Sequence, residues 1–306
     1  RIMIIFDKRN AIKFYKIAKA ISEQNDGEIT ILNIVNVPRQ TPLSLSHGIG
    51  DSGLKAIEDF KKAIPGSLRT RFLVRLAHDP TEAILSTAEE QDINTMLVDF
   101  SFLRNNRKLL SLTTCDIIGI RLRKNFDQDI SQMIVSYDKG RHSDLGLEIG
   151  HAVATINNSK IRIVRGVVED PDDEVEVINR INEKMLELEL KKIQFEKVYT
   201  NGNIVPELLK NFKKDKSALL ILGAGNQSES AFSPKTLEIV DKTNKSVIIV
   251  RNHRFSGVHA RSLFSAFIPR LREVKALYRL YVDLMQVFYT SKAKARKERY
   301  DEKFFD

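Results

Sequence analysis

Short continuous apolar runs alternate along this chain with stretches in which apolar residues recur every three or four positions. The first kind of run reads as a buried strand and the second as an amphipathic helix. Ile2 to Phe6 (IMIIF) ends at Asp7, and Phe14, Ile17, Ala18 and Ile21 then share one helical face. Met133 to Tyr137 (MIVSY) ends at Asp138, and Leu145, Ile149, Val153 and Ile156 follow with the same kind of spacing. Second strands are predicted at Ile29 to Val35 and Ile161 to Val168, and third strands at Arg71 to Leu76 and Phe195 to Tyr199. The closing strands, Ile117 to Ile120 (IIGI) and Val247 to Val250 (VIIV), are each followed by an arginine. Asp7 and Asp138 are 131 positions apart and Arg121 and Arg251 are 130 apart, so the simplest explanation is an internal duplication. Continuous rather than alternating apolar strands, separated by helices, predict an α/β fold with parallel sheets covered on both faces. Ligands of such sheets bind beyond the C-terminal strand ends, where Asp7, Asp138, Asp99 and Gly223 are expected.

One stretch joins these elements into a candidate site. Leu219 to Leu222 forms a strand, Gly223 and Gly225 a turn, and Ser233-Pro234 the opening of a helix. A glycine turn followed by a helix N-terminus leaves backbone N–H groups for a phosphate. The same residues also fit a simple tight turn with Ser233 as an N-cap. The matching turn of the first half reads Asp99-Phe100-Ser101-Phe102, with no glycine. A carboxylate and two rings there oppose a triphosphate, so the first half is expected to be a scaffold copy without an ATP-like ligand. Asp79, Pro80 and Glu82 have the order of an N-cap, a first helical residue and a capping-box acid.

Other candidates have weaker patterns. The segment HGIGDSG, from His47 to Gly53, fits no dinucleotide fingerprint and reads as a flexible loop. His142 and Asp144 read as a surface turn beside Asp138, with an acid–base role as the other reading. The acidic run from Glu169 to Glu174 lacks the spacing of a calcium loop and reads as solvated. No nucleophile elbow or Walker A string occurs, so no catalytic residue is assigned.

Composition narrows the class. The chain of 306 residues, 42% of them hydrophobic, can build two ordinary cores, and no run of about 18 apolar residues suggests a membrane span. The single cysteine, Cys115, excludes an internal disulfide and fits a reducing compartment. The six histidines are scattered without metal-ligand spacing, so no metal is expected. Of the net charge of +9, two-thirds lies in residues 254–306, where twelve Lys and Arg face six Asp and Glu. Such a basic tail can meet an anionic surface or form a solvated helix end; nucleic acid is not an expected partner.

Three features carry a family resemblance: an opening strand ending in Asp, the segment HDPTEAILSTAEE from His78 to Glu90, and the strand-glycine turn at Gly223 followed by a closing VIIVR. Each half resembles a universal stress protein (UspA-like) domain of the adenine nucleotide alpha hydrolase-like class. The position of Cys115 also agrees. The resemblance implies two tandem doubly wound five-stranded parallel sheets packed as a pseudo-dimer, with domains over residues 1–125 and 126–254 and a basic amphipathic helical tail over 255–306. ATP-binding members carry Gly-x-x-Gly, nine residues, then Gly-Ser/Thr. Here Gly223 matches the first glycine, Asn226 replaces the second with Gly225 displaced by one, and the third has no counterpart at Ser233 or Thr236. Independently of the resemblance, Gly223, Gly225 and the helix opening at Ser233 would form the anion site, with Asn226 in the same turn, Asp138 on the adenine or ribose side and Val167 near the base. At most a weak adenine nucleotide is expected.

The tail adds a further expectation. Leu271, Val274, Tyr278, Tyr281, Met285 and Phe288 recur at helical spacing beside a second row, Leu277, Leu280, Leu284 and Val287. That stripe is too wide for a lone solvated helix and predicts an interface, with a membrane-surface helix as the other reading. The start at Arg1 suggests a piece of a longer protein. Tandem UspA-like halves with an added helix resemble the C-terminal cytosolic domains of secondary transporters of the amino-acid permease and cation–chloride cotransporter superfamily. The expected function is therefore a non-enzymatic regulatory or assembly domain at the cytosolic face of a membrane. It would be homodimeric and joined to a transmembrane domain of the same chain. The alternative is a free-standing tandem stress protein binding ATP or another adenine nucleotide, and a nucleotide-using enzyme is a third reading.

Overall fold

The computed structural model describes residues 1–253 apart from 46, 65–68, 124–129, 139, 167–170, 189–192, 199–204, 214–217 and 226–231. The chain divides into two compact units, Arg1–Phe255 and Ser256–Asp306. The predicted tail helix and its stripe lie outside the described residues.

The first half contains β1 (Ile2–Ile5), α1 (Ala11–Gln24), β2 (Ile29–Asn36), α2 (His47–Ala63), β3 (Thr70–Ala77), α3 (Pro80–Glu90), β4 (Thr95–Asp99), α4 (Phe100–Arg104), α5 (Arg107–Leu112) and β5 (Asp116–Arg121). The second half contains β6 (Gln132–Ser136), α6 (Arg141–Asn157), β7 (Lys160–Gly166), α7 (Pro171–Glu187), β8 (Ile193–Val198), α8 (Val205–Lys213), β9 (Ala218–Gly223), α9 (Pro234–Lys242) and β10 (Val247–Arg251). Each half is a parallel five-stranded array with the same order, β3-β2-β1-β4-β5 and β8-β7-β6-β9-β10. The two closing strands pair antiparallel, Val247 with Arg121 through Arg251 with Ile117, so the halves share one ten-stranded sheet.

Both sheet faces are buried, as the continuous apolar strands require. Ile4, Leu97, Ile118 and Ile120 pack with Phe14, Ile17 and Phe60 of α1 and α2 on one face, together with Ile149 of α6 and Ile181 of α7. Met3, Met96, Val98 and Ile117 pack on the other face with Ile84 of α3, Leu109 of α5, Leu208 of α8 and Ile239 of α9. Each of these cores runs through both halves, because Ile248 and Val250 face the first and Val247 and Ile249 the second.

Several local expectations are corrected. HGIGDSG is not a loop: it opens α2, and Gly53 lies where a Cβ would meet Val35 Cγ2 at 2.3 Å. That contact, made as α2 crosses β2, explains a glycine inside a helix. Asp79 does cap α3, accepting from the Thr81 and Glu82 N–H groups at 2.8 and 3.4 Å, with Pro80 at the first position. The Glu82 carboxylate, however, accepts from Lys108 Nζ at 3.0 Å instead of acting as a capping-box acid. The acidic run is not all loop, because Pro171 opens α7 and the residues from Asp172 to Glu174 form its first turn. Negative charge is favourable at that helix end.

Candidate functional site

Strand register fixes which positions of the two halves correspond. Ile4 pairs with Leu97 in the first half and Val135 with Ile221 in the second. Three residues on from Ile4 and Val135 stand Asp7 and Asp138; two on from Leu97 and Ile221 stand Asp99 and Gly223. The order reverses between these strands in each half, which makes both places crevices at the C-terminal sheet edge.

In the second half, Gly223, Gly225 and Ser233 do come together. Gly225 has φ +82, and a Cβ there would lie 2.4 Å from Ser233 Cβ. Positive φ and this close approach each require glycine at 225. The Ser233 N–H donates to the Ala224 carbonyl at 2.8 Å, closing the segment back onto the turn. Ser233 then caps α9: its Oγ accepts from the Thr236 N–H at 3.1 Å, and its carbonyl accepts from the Leu237 N–H at 3.0 Å. Pro234 has no N–H to offer. Thr236 Oγ1 in turn donates to the Gly223 carbonyl at 3.0 Å. Asp138 is exposed just past β6, its backbone N–H donating to Ser143 Oγ at 3.0 Å. Val167 and Asn226 lie outside the described residues.

His142 and Asp144 are not a surface turn. They belong to the first turn of α6, where Asp144 is only 3% exposed. Asp144 accepts from the Tyr137 hydroxyl at 2.5 Å and from Arg180 Nε at 3.2 and 3.1 Å, which accounts for a buried carboxylate. Burial and the neighbouring Asp144 push the Tyr137 phenol far up, so Tyr137 stays protonated and acts as a donor. His142 packs against the turn, its Cβ 3.1 Å from where a Cβ on Gly223 would sit. Its Nδ1 accepts from the Asn252 N–H at 2.9 Å, a bond that needs that nitrogen unprotonated. Burial first, then the charges of Arg251 and Arg141, hold its pKa below the ordinary value.

The first half presents a cleft of about 750 Å³ at the equivalent position, with Asp7, Arg9, Asn33, Val35, Asp99 and Phe102 in its lining. This size is ordinary for a small-molecule site. Asp7 accepts from the Arg9 N–H at 3.1 Å, from its Nε at 3.3 Å, and from Asn10 Nδ2 at 3.3 Å. Asp99 caps α4, accepting from the Ser101 N–H at 2.8 Å. A carboxylate thus stands at the strand end where the second half has Gly223.

The arginines after the closing strands have a role that the sequence did not reveal. Arg121 crosses to the end of α9, donating to the carbonyls of Val240, Thr243 and Lys245 at 2.5, 2.9 and 3.1 Å. Its counterpart Arg251 donates to the Leu110 carbonyl near the end of α5. Each half therefore supplies a cation to orphan carbonyls at a helix C-terminus of the other. The repeated arginine at matched offset was the available signal; its partner could not be read without the antiparallel pairing. Asp116, fully buried, adds a second crossing: its Oδ1 accepts from Asn252 Nδ2 at 3.1 Å and from the His253 N–H at 2.7 Å.

Comparison with known proteins locates the fold. No protein-family model and no curated protein matches the sequence. Among solved structures, a universal stress protein from Archaeoglobus fulgidus is similar at TM-score 0.59 and 13% identity, covering 83% of this chain and 97% of that one. A functionally unknown protein from Pseudomonas aeruginosa is similar at TM-score 0.52 and 11% identity, covering 87% and 96%. The cytoplasmic domain of a prokaryotic cation chloride cotransporter is similar at TM-score 0.52 and 9% identity, covering 85% and 98%. The fold is thus UspA-like. No helix among the described residues is long and apolar enough to cross a membrane.

Proposed function

We propose that this chain is a non-enzymatic regulatory or assembly domain of a membrane transporter, acting at the cytosolic face and without a working nucleotide site. The observation that carries this reading is the side-chain capping of α4 and α9, the helices that follow β4 and β9. Asp99 takes the Ser101 N–H and Ser233 takes the Thr236 N–H, in place of a bound phosphate. A UspA-like body built on one ten-stranded sheet offers a large surface for assembly. The overlay with a transporter's cytoplasmic domain over 85% of this chain supports that use. Homodimerisation through the tail stripe and attachment to a transmembrane domain of the same longer chain belong to the same proposal. The overlay with a universal stress protein favours the second reading, a free-standing stress protein that binds an adenine nucleotide around Gly223, Gly225 and Ser233 with Asp138 alongside. Calorimetric titration with ATP, AMP and cyclic dinucleotides separates the two. No saturable heat at millimolar nucleotide is expected. Saturable ATP binding that Gly225→Val abolishes would reject the first reading in favour of the second.

A further inference from the structure

The end of β10 is held by hydrogen bonds that converge on two residues. The Asn252 N–H donates to His142 Nδ1 at 2.9 Å, and the Asn252 side-chain amide and the His253 N–H both donate to Asp116 Oδ1, at 3.1 and 2.7 Å. Asn252 is only 6% exposed and Asp116 is fully buried, so this clasp forms where a lost acceptor is costly. Arg254 and Phe255 alone then separate it from the compact unit Ser256–Asp306.

Of the two acceptors, His142 is the one whose ordinary pKa lies near neutrality. A neutral ring can accept at Nδ1, whereas a protonated ring carries a donor on each nitrogen and would set one against the Asn252 N–H. The charges that act on the ring are Arg251 from β10 and Arg141 from its own helix. Gly223, from the end of β9, brings no charge, and Asp144, two residues further along α6, accepts from Tyr137 and Arg180. Asp138, past the end of β6, is exposed, and Asp116 stands on the far side of Asn252. Burial and the two arginines disfavour the protonated ring in the folded chain, so protonation and closure of the clasp oppose each other.

We propose that His142 is a pH-sensitive latch on the strand end that leads into the C-terminal segment. Neutral, it holds Asn252; protonated at Nδ1, it gives up the lone pair that held the Asn252 N–H, and the end of β10 opens more often. Asp116 alone then retains Asn252 and His253. The proposal does not depend on whether the chain serves a transporter or binds a nucleotide.

Amide exchange resolved by NMR on the full chain tests this, with protection factors taken between about pH 8 and about pH 5 to bracket the ordinary histidine pKa. As pH falls, the Asn252 and His253 amides should lose about tenfold in protection, as a buried donor without its acceptor implies. Ile249, fully buried and paired with Gly119, should keep its protection. His142→Asn offers a carbonyl acceptor that does not titrate, so the pH dependence should vanish. His142→Ala removes the acceptor and should leave both amides weakly protected at every pH. Protection in the parent chain that does not change with pH would overturn the proposal. So would survival of the parent's pH dependence in His142→Asn, which would assign it to another group such as Asp116, or an equal loss at Ile249, which would make the response one of the whole sheet.

Discussion

Arg121→Ala should destabilise the whole sheet and not merely one helix end. The guanidinium makes three hydrogen bonds to the carbonyls of Val240, Thr243 and Lys245 across the seam between the halves. Burial lowers its pKa, partly offset by the charge of Asp241, so it is a half-buried cation whose solvation these carbonyls replace. Hydrogen bonds from a charged donor contribute about 1.5–3 kcal/mol each, but after truncation water can reach carbonyls at a helix end, so the expected net loss is about 2–4 kcal/mol. Arg121→Lys keeps the charge but not the planar fork and should recover about half of that loss. Arg104 also crosses the seam, donating to Asp241 at 2.6 and 3.1 Å, yet both side chains are about half exposed. Its replacement by alanine should therefore cost less than about 1 kcal/mol. Urea unfolding followed by far-UV circular dichroism measures all three, with the first half and the second melting in one transition. A loss below about 0.5 kcal/mol for Arg121→Ala, the level of an ordinary surface substitution, would refute the role assigned to this arginine. So would equal losses for Arg121 and Arg104.

Other predictions follow from single positions. Gly225→Ala combines a strained positive φ with a Cβ too close to Ser233, and should lower stability by about 1–3 kcal/mol in urea titration. His142 has a lowered folded-state pKa, so the unfolded chain binds the proton more readily. Stability from this residue is present above the ordinary histidine pKa and is lost as pH falls from there towards the folded value. His142→Asn, whose side-chain carbonyl can still accept the Asn252 N–H, should flatten that part of the stability–pH profile; an unchanged slope would count against it. Removal of residues 270–306 should convert a dimer into a monomer by light scattering if the tail stripe mediates assembly.

Much of this fold is legible in the chain because its strands are buried on both faces. IMIIF, ITILNIV and VIIV announce themselves as parallel strands without any partner in view. Ser233-Pro234 and Asp79-Pro80 mark helix starts by local chemistry alone, and both caps form as written. The pairing of β5 with β10 is not legible, since an edge strand and a central strand have the same apolar pattern when both faces are covered. The glycines of α2 hid a helix because a packing constraint, the approach of Gly53 to Val35, outweighed low helix propensity. His142 and Asp144 looked like surface polar residues because their partners, Asn252 and Arg180, are 110 and 36 positions away. The first-half cleft was missed for a related reason: the lost glycines argued against a phosphate but said nothing about the space left between Asp7 and Asp99.

The claim that this chain serves a membrane transporter is tested most directly by following the full-length protein through cell fractionation with an alkaline carbonate wash. The account predicts that it stays in the washed membrane pellet, as an integral segment of the same polypeptide requires. Recovery of the full-length protein in the soluble fraction would contradict it.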